Sequence, residues 1–473
     1  MQIVDNQEGS QEQTTLEYPP LPPALSGSWT ALIRIFGPGA IIASVTVGTG
    51  ETIFAPRVGA IFGYGLLWVA VMTVIFKGIQ VYTGARHLVL TGEHPVQAWT
   101  RFPGPRAWVA WLITLVAVVS FPMWIAALSD AIGNLLMWIT GIGYGSAWGR
   151  PLWATGMIVA AMSLAMIQTY GAVEKVSAVI LALKIILILI AVIVVHPDWG
   201  ATIWGMIVPH LPPLPPWVST QYPDLARRPI GLELATLMGA VGGGVQDYIG
   251  YVGFLREKKW GLSGILNGAP WKVSTADSVV KRGKAWLRAP QLDCTFSFSA
   301  VGIMTCLFMI LGAAVLHPQM QVPNDSDLYS MQSQFLAAIH QQLVVVYKAG
   351  IFFAIFGVLY GAFELYTYTT YEPLKAIWPK RTWNINRVRL WVVLYSGLGG
   401  LMLLWTGWKT VTIASIISPF SGVLGCGLWC LAMIWVDRTQ MPKQYRMSIQ
   451  LLLGTILAGL VMTAVGGWVT LRF

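Results

Sequence analysis

Long apolar segments alternate with short polar loops along most of the chain. A helix of about 20 apolar residues crosses a bilayer, and about eleven segments of the chain reach that length. The pattern therefore predicts an all-α polytopic membrane protein. The predicted spans lie near residues 29–60, 64–90, 107–138, 153–170, 176–195, 231–254, 295–315, 343–377, 389–406, 410–436 and 446–470.

Glycine clusters interrupt the first and the sixth of these spans. Residues 47–50 read Val-Gly-Thr-Gly and precede Glu51, and residues 242–244 are three glycines that precede Asp247. Glycine runs are costly in a helix, so helices 1 and 6 are predicted to be broken. The sixth span also begins a second set of five, which predicts two five-helix repeats and one additional helix.

Four regions follow from this division. Residues 1–28 form a polar, Pro-containing arm that we expect to be disordered. Residues 29–230 form the first repeat with an external Pro-rich loop, residues 231–436 the second repeat, and residues 437–473 the additional eleventh helix.

Charge is scarce and unevenly placed. Only 11% of the residues are charged and 55% are hydrophobic, whereas soluble domains carry roughly 25% charged residues. The net charge of +10 comes from basic residues in alternate loops, which predicts a cytoplasmic N-terminus and an external C-terminus in the plasma (inner) membrane. We expect a monomer whose partners are the lipid bilayer and a small solute, and no nucleic acid.

Broken helices at matching positions of two halves are typical of the substrate sites of secondary transporters. The start of a half-helix presents amide N–H groups that suit an anion, whereas its end presents carbonyl oxygens that suit a cation. Close helix packing through small residues is the alternative explanation of the glycines. The predicted substrate-binding residues are Thr46, Val47, Gly48, Thr49, Gly50, Gly242, Gly243, Gly244 and Val245.

Polar residues near the breaks are candidates for ion coupling or for helix capping. Glu51 and Asp247 follow the glycines, and Ser415 and Ser418 lie in the tenth span. The roles of four other intramembrane charges, on Lys77, Lys184, Asp130 and Glu364, stay open. The spans contain no nucleophile–base pair and no His/Asp metal cluster, so we predict no enzyme, no bound metal and no cofactor. Sodium remains open as a coupling ion.

The start of the chain resembles the NRAMP metal-ion transporters. Gly37-Pro38-Gly39, the first break, and the stretch Val-Gly-Ala-Ile-Phe-Gly-Tyr-Gly-Leu-Leu-Trp at 58–68 carry the resemblance. It implies a LeuT-like 5+5 inverted repeat with helices 1 and 6 unwound around the site. The family's metal ligands are replaced here: its Asp falls on Gly48, its Asn on Glu51, and its sixth-helix Met on Gly243. The tenth-helix Gln falls near Ile417.

Loss of these ligands favours a small anion as cargo. Bicarbonate fits best, because it is compact and accepts several N–H bonds. The main prediction is therefore a secondary transporter of bicarbonate that works by alternating access, with sodium or proton coupling left open. The alternative is a divalent cation transporter for Mn²⁺ or Mg²⁺, in which Glu51 and Asp247 form a relocated carboxylate site.

Overall fold

The structure is a computed structural model that describes residues 17–26, 48, 50–167, 185–264, 274–323, 328–337 and 340–472. Every regular element within these ranges is helical. The principal helices in chain order are α1 Ala55–Phe62, α2 Leu67–Thr91, α3 Trp108–Thr140, α4 Gly149–Ile167, α5 Ile185–Val195, α6 Ile230–Ala240, α7 Val245–Phe254, α8 Arg288–Leu311, α9 Leu343–Ile377, α10 Ile385–Leu404, α11 Thr410–Ile417, α12 Gly425–Thr439 and α13 Ile449–Arg472.

Short helical pieces connect or extend these helices. Three π-helical segments adjoin α1, α8 and α11, at Gly50–Phe54, Gly312–Leu316 and Ser418–Leu424. The remaining short helices are Pro23–Ser26, Pro95–Trp99, Trp199–Ile207, Pro216–Gln221, Pro223–Ala226, Asp277–Trp286, Leu328–Gln332 and Gln334–Ala337, with 3₁₀ turns at Leu255–Lys258, Gly261–Gly264 and Lys443–Tyr445.

Eight helical segments of the described chain are long and apolar enough to cross a membrane. The predicted span 343–377 coincides with α9. The predicted sixth span is divided between α6 and α7, each too short to cross alone, so the break in this helix is confirmed. Most of the first half of the first predicted span lies outside the described residues.

The two halves of the broken sixth helix are mostly buried. The first half, α6, packs against the π-helical segment Ser418–Leu424, and the second half, α7, packs against α9. A Cβ atom on Gly239 would come within 2.1 Å of the Ser418 carbonyl oxygen, so glycine is what allows these two backbones to touch. The π-helical turn Gly50–Phe54 of the first helix also contacts α6. The fold thus brings both glycine regions together.

Candidate functional site

The break in the sixth helix is a four-residue turn between Ala240 and Val245. Gly242 and Gly243 have positive φ angles of 73° and 85°, a conformation that side-chain-bearing residues rarely adopt. The glycines are therefore needed for the backbone path itself. The turn leaves the carbonyl groups at the end of α6 and the amide groups at the start of α7 without helical partners.

A buried lysine binds the carbonyl side of the break. Lys77 of α2 is 1% exposed, and its Nζ donates to the carbonyl oxygens of Gly239 at 3.1 Å, Val241 at 2.6 Å and Gly243 at 2.5 Å. Three acceptors require three N–H donors, which only the ammonium form supplies. The Gly242 carbonyl accepts a hydrogen bond from the Tyr248 hydroxyl at 2.6 Å, and the Gly244 carbonyl accepts from the Asp247 amide within α7 at 3.0 Å.

Two carboxylates bind the amide side. Glu51 accepts from the Gly48 amide through Oε2 and from the Gly242 amide through Oε1, both at 2.9 Å. Asp247 Oδ2 accepts from the Gly244 amide at 2.8 Å and thereby caps α7. Glu51 thus joins the first glycine region to the second. Three of the amides expected to bind an anion, those of Gly48, Gly242 and Gly244, are therefore already bound by acidic side chains of the chain itself.

A cavity of about 30 Å³ adjoins the break. That volume holds roughly two water-sized particles. Asp247 is the charged residue among its described lining residues. The Gln246 side chain donates to Asp247 Oδ2 at 2.7 Å through Nε2, and its buried Oε1 has no hydrogen-bond partner among the described atoms. The lining comprises Gly48, Trp124, Leu128, Ala240, Gly243, Gln246, Asp247, Val358, Ala362 and Tyr366.

The predicted site residues are distributed unevenly around this cavity. Gly48 and Gly243 line it, whereas Gly242 and Gly244 lie in the adjoining turn and Val245 is the first residue of α7. Gly50 packs against α6, where a Cβ would lie 2.3 Å from the Ala240 carbonyl oxygen. Thr46, Val47 and Thr49 lie outside the described residues.

The two serines lie away from this cavity. Ser415 donates to the Val411 carbonyl oxygen within α11 at 2.7 Å and lines a separate cavity that also contains Arg228. Ser418 is buried beside Gly239, and its hydroxyl has no hydrogen-bond partner among the described residues. Neither serine is among the described lining residues of the cavity, and their role in ion coupling or capping stays a prediction.

Sequence reasoning missed the walls contributed by α3 and α9. Trp124 donates through its indole nitrogen to the Ser421 hydroxyl at 3.1 Å, and Tyr366 stacks on Phe121 with ring centroids 4.1 Å apart. Neither residue carries a local signal that separates it from ordinary membrane-helix packing. Lys77 did carry one, because a charge in the middle of an apolar span is costly and usually functional.

Asp130 and Glu364, the two intramembrane acids whose roles the sequence leaves open, each form an ion pair with an arginine. Asp130 lies 3.0 Å from Arg150 and also accepts from the Thr410 amide, which caps α11. Glu364 lies 3.1 Å from Arg389. Lys184 lies outside the described residues. These pairs link α3 to α4 and α9 to α10, and their residues are not among the described lining of the cavity.

Metal-ligating side chains are not clustered in the described part of the chain. No group of three or more His, Cys, Asp or Glu residues there is arranged to hold a metal ion. A cation in the cavity would instead meet the Asp247 carboxylate and the Gln246 amide oxygen. These are hard oxygen ligands, which suit Mg²⁺ and Mn²⁺.

Residues 39–472 match the model of the natural resistance-associated macrophage protein-like family, Nramp. The chain belongs to the Nramp family. The resemblance seen in the sequence is thereby confirmed, and with it a multi-pass membrane protein of a transporter family. Nramp relatives are transporters and not enzymes, in agreement with the sequence-based prediction.

One similar protein shares only about a quarter of its residues with this chain over the matched region. The divalent metal cation transporter MntH of Brucella suis biovar 1 (strain 1330) is 24% identical over 291 residues, which cover 60% of this chain and 55% of MntH. The chain thus spans about half the length of that relative. The match concerns a protein named for divalent cations, and it gives no support to the bicarbonate prediction.

Solved structures show the fold. The manganese transporter of Eremococcus coleocola, in the crystal structure of a point mutant, has a TM-score of 0.66 at 15% identity and covers 93% of this chain and 86% of its own. Mhp1, a nucleobase-cation-symport-1 family transporter, has a TM-score of 0.54 at 14% identity and covers 93% of each chain. The LeuT-like fold class is confirmed, and the described residues include the break of helix 6.

Proposed function

We propose that this Nramp protein is a secondary transporter that carries a divalent metal cation by alternating access through the cavity beside the sixth-helix break. The observation that carries the proposal is the charge balance at the break. Glu51, Asp247 and Lys77 together leave one net negative charge, and Asp247 lines the cavity. In a low-dielectric interior, that charge attracts a cation and opposes an anion.

The ligands on the cavity wall support a hard cation. Asp247 offers a carboxylate and Gln246 a buried amide oxygen. The described lining contains no Met, His or Cys, the side chains that favour softer transition metals. Mg²⁺ and Mn²⁺ bind with one or two carboxylates and retained water. The relatives named for divalent cations and for manganese support the same class of cargo.

Flux measurements in liposomes test the proposal. Purified protein is reconstituted into vesicles that enclose a metal-sensitive dye, and Mn²⁺ or Mg²⁺ is added outside under imposed proton or sodium gradients. We expect uptake above protein-free vesicles. Asp247→Asn should lower uptake about 10-fold or more, because a charge-assisted contact contributes about 1.5–3 kcal/mol.

The matched control removes the same charge elsewhere. Asp224 lies on the surface with a side chain 97% exposed, so Asp224→Asn should retain wild-type uptake. Absence of metal uptake by the wild type, or equal uptake by Asp247→Asn and the wild type, would overturn the cation proposal.

Bicarbonate is the second candidate, and one observation favours it. The Lys77 ammonium already fills the carbonyl side of the break with a fixed positive charge. The positive charge of Lys77 attracts an anionic cargo and repels a metal cation. Bicarbonate would still need a proton or sodium ion to offset the net negative charge. The same vesicles with a pH dye discriminate, because bicarbonate entry raises the internal pH and metal entry alone does not.

A further inference from the structure

We propose that the carbonyl oxygens of Gly239, Val241 and Gly243 form a monovalent-cation site whose resident cation is the tethered ammonium group of Lys77. This inference concerns how the break is held and rests on no particular cargo. The proposed function can therefore fail while this inference stands, and the reverse also holds.

The coordination of Lys77 is that of a bound cation. Its Nζ contacts three backbone oxygens at 3.1, 2.6 and 2.5 Å. All three oxygens belong to the last turn of α6 and to the glycine turn, where a helix end leaves carbonyls without amide partners and carries partial negative charge. Unwound carbonyls at half-helix ends are the groups that hold small cations in broken-helix transporters.

Two carboxylates at the same turn compensate the charge of this ammonium group and leave one net negative charge. Glu51 and Asp247 bind the amide groups on the other side of the same turn, at Gly242 and Gly244. Lys77 itself is almost fully buried. A buried charge is tolerated when it is hydrogen-bonded and compensated nearby, and both conditions are met here. Removal of the ammonium group would leave the carbonyl site empty, with both carboxylates still bound to the same turn.

An empty site of this kind should recruit a free cation. The oxygens are placed by the fold of α6, and the adjacent carboxylates attract positive charge. We therefore expect the wild type to be indifferent to Na⁺ at this site, since Lys77 fills it. The variant Lys77→Met keeps the apolar stem but loses the charge, so its folded state should depend on an added monovalent cation.

Thermal unfolding in detergent is the test. Wild type, Lys77→Met and Lys77→Gln are purified in parallel in NaCl, methylammonium chloride, tetramethylammonium chloride and choline chloride at equal ionic strength. The matched control is Lys281→Met, at an exposed lysine of the Asp277–Trp286 helix. We expect a saturable rise in the Tm of the two Lys77 variants with Na⁺ or methylammonium, and no such rise for the wild type or Lys281→Met.

The four cations distinguish binding at the carbonyl site from a general effect of salt on the Tm. Methylammonium has three N–H donors and can reproduce the Lys77 contacts, whereas tetramethylammonium has none. Equal responses to methylammonium and tetramethylammonium would overturn the proposal. So would a Tm of folded Lys77→Met that is independent of every cation, or failure of both Lys77 variants to fold in all four salts, because a filled site should restore the fold.

Discussion

Glu51 is the side chain that joins the two glycine regions, so its replacement is the sharpest structural test. Its two carboxylate oxygens accept from the Gly48 and Gly242 amides, each at 2.9 Å, and the residue is fully buried. Glu51→Gln keeps the length and shape of the side chain. The carboxamide has one oxygen and one NH₂ group, however, so one amide N–H must face another donor.

The expected loss follows from these contacts. A hydrogen bond to a charged group contributes about 1.5–3 kcal/mol, and a buried N–H without a partner costs about 1–3 kcal/mol. Lys77 also loses one of its two compensating carboxylates. Breaking a buried charge network in this way costs about 3–5 kcal/mol. Unfolding entropy of about 2 cal/mol/K per residue converts that loss to a Tm decrease of about 3–5 °C for a chain of 473 residues.

Thermal unfolding of the detergent-purified protein is the assay. Glu17→Gln is the matched control, because Glu17 forms an exposed pair with Arg282 at 3.1 Å and its side chain is 69% exposed. Surface pairs of this kind contribute about 0–1 kcal/mol, so the control should unfold close to the wild type. A Tm of Glu51→Gln within about 1 °C of the wild type would refute the reasoning that Glu51 holds the breaks together.

Two further predictions concern packing and pH. Gly239→Ala places a Cβ 2.1 Å from the Ser418 carbonyl oxygen, so it should lower the free energy of unfolding, measured by denaturant titration, by about 1–3 kcal/mol. The control is Gly350→Ala on α9, where the added Cβ would have nothing within 4 Å, and this substitution should be neutral or stabilising. His94 lies outside the membrane spans, and its burial lowers its pKa from 6.5 to about 4. Because the unfolded chain binds a proton at this histidine more readily than the folded chain does, the free energy of unfolding should decrease as the pH falls from 6.5 towards 4. That decline should be smaller in His94→Gln, and an equally steep decline in this variant would contradict the assignment.

The sequence predicted the break of the sixth helix well because its signals are local. A run of three glycines with a following acid is unfavourable inside a helix and favourable at a new helix start, so the turn at Gly242–Gly244 and the Asp247 cap could both be expected. The long apolar α9 was likewise predicted with its observed bounds. These features depend on residues that are close together in the chain.

The cargo prediction depended on more than local signals. The glycine amides suggested an anion site when considered alone. Glu51 is bound to the Gly242 amide, which lies 191 residues away, and this contact removes the donor from use by a ligand. No periodicity or composition encodes that contact, because it depends on how the first and sixth helices pack.

The sequence by itself determined the apolar, membrane-spanning character of the chain, the position of the sixth-helix break and the resemblance to the Nramp family, since these follow from residue type and spacing. Only the tertiary structure decided which charges meet at the breaks. Lys77 and Gly243 are 166 residues apart, yet their atoms lie at 2.5 Å. The physical reason is that an unpaired carbonyl oxygen accepts a hydrogen bond from any nearby donor, and an unpaired amide N–H donates to any nearby acceptor. The packing of the helices determines which side chain lies close enough to form that hydrogen bond.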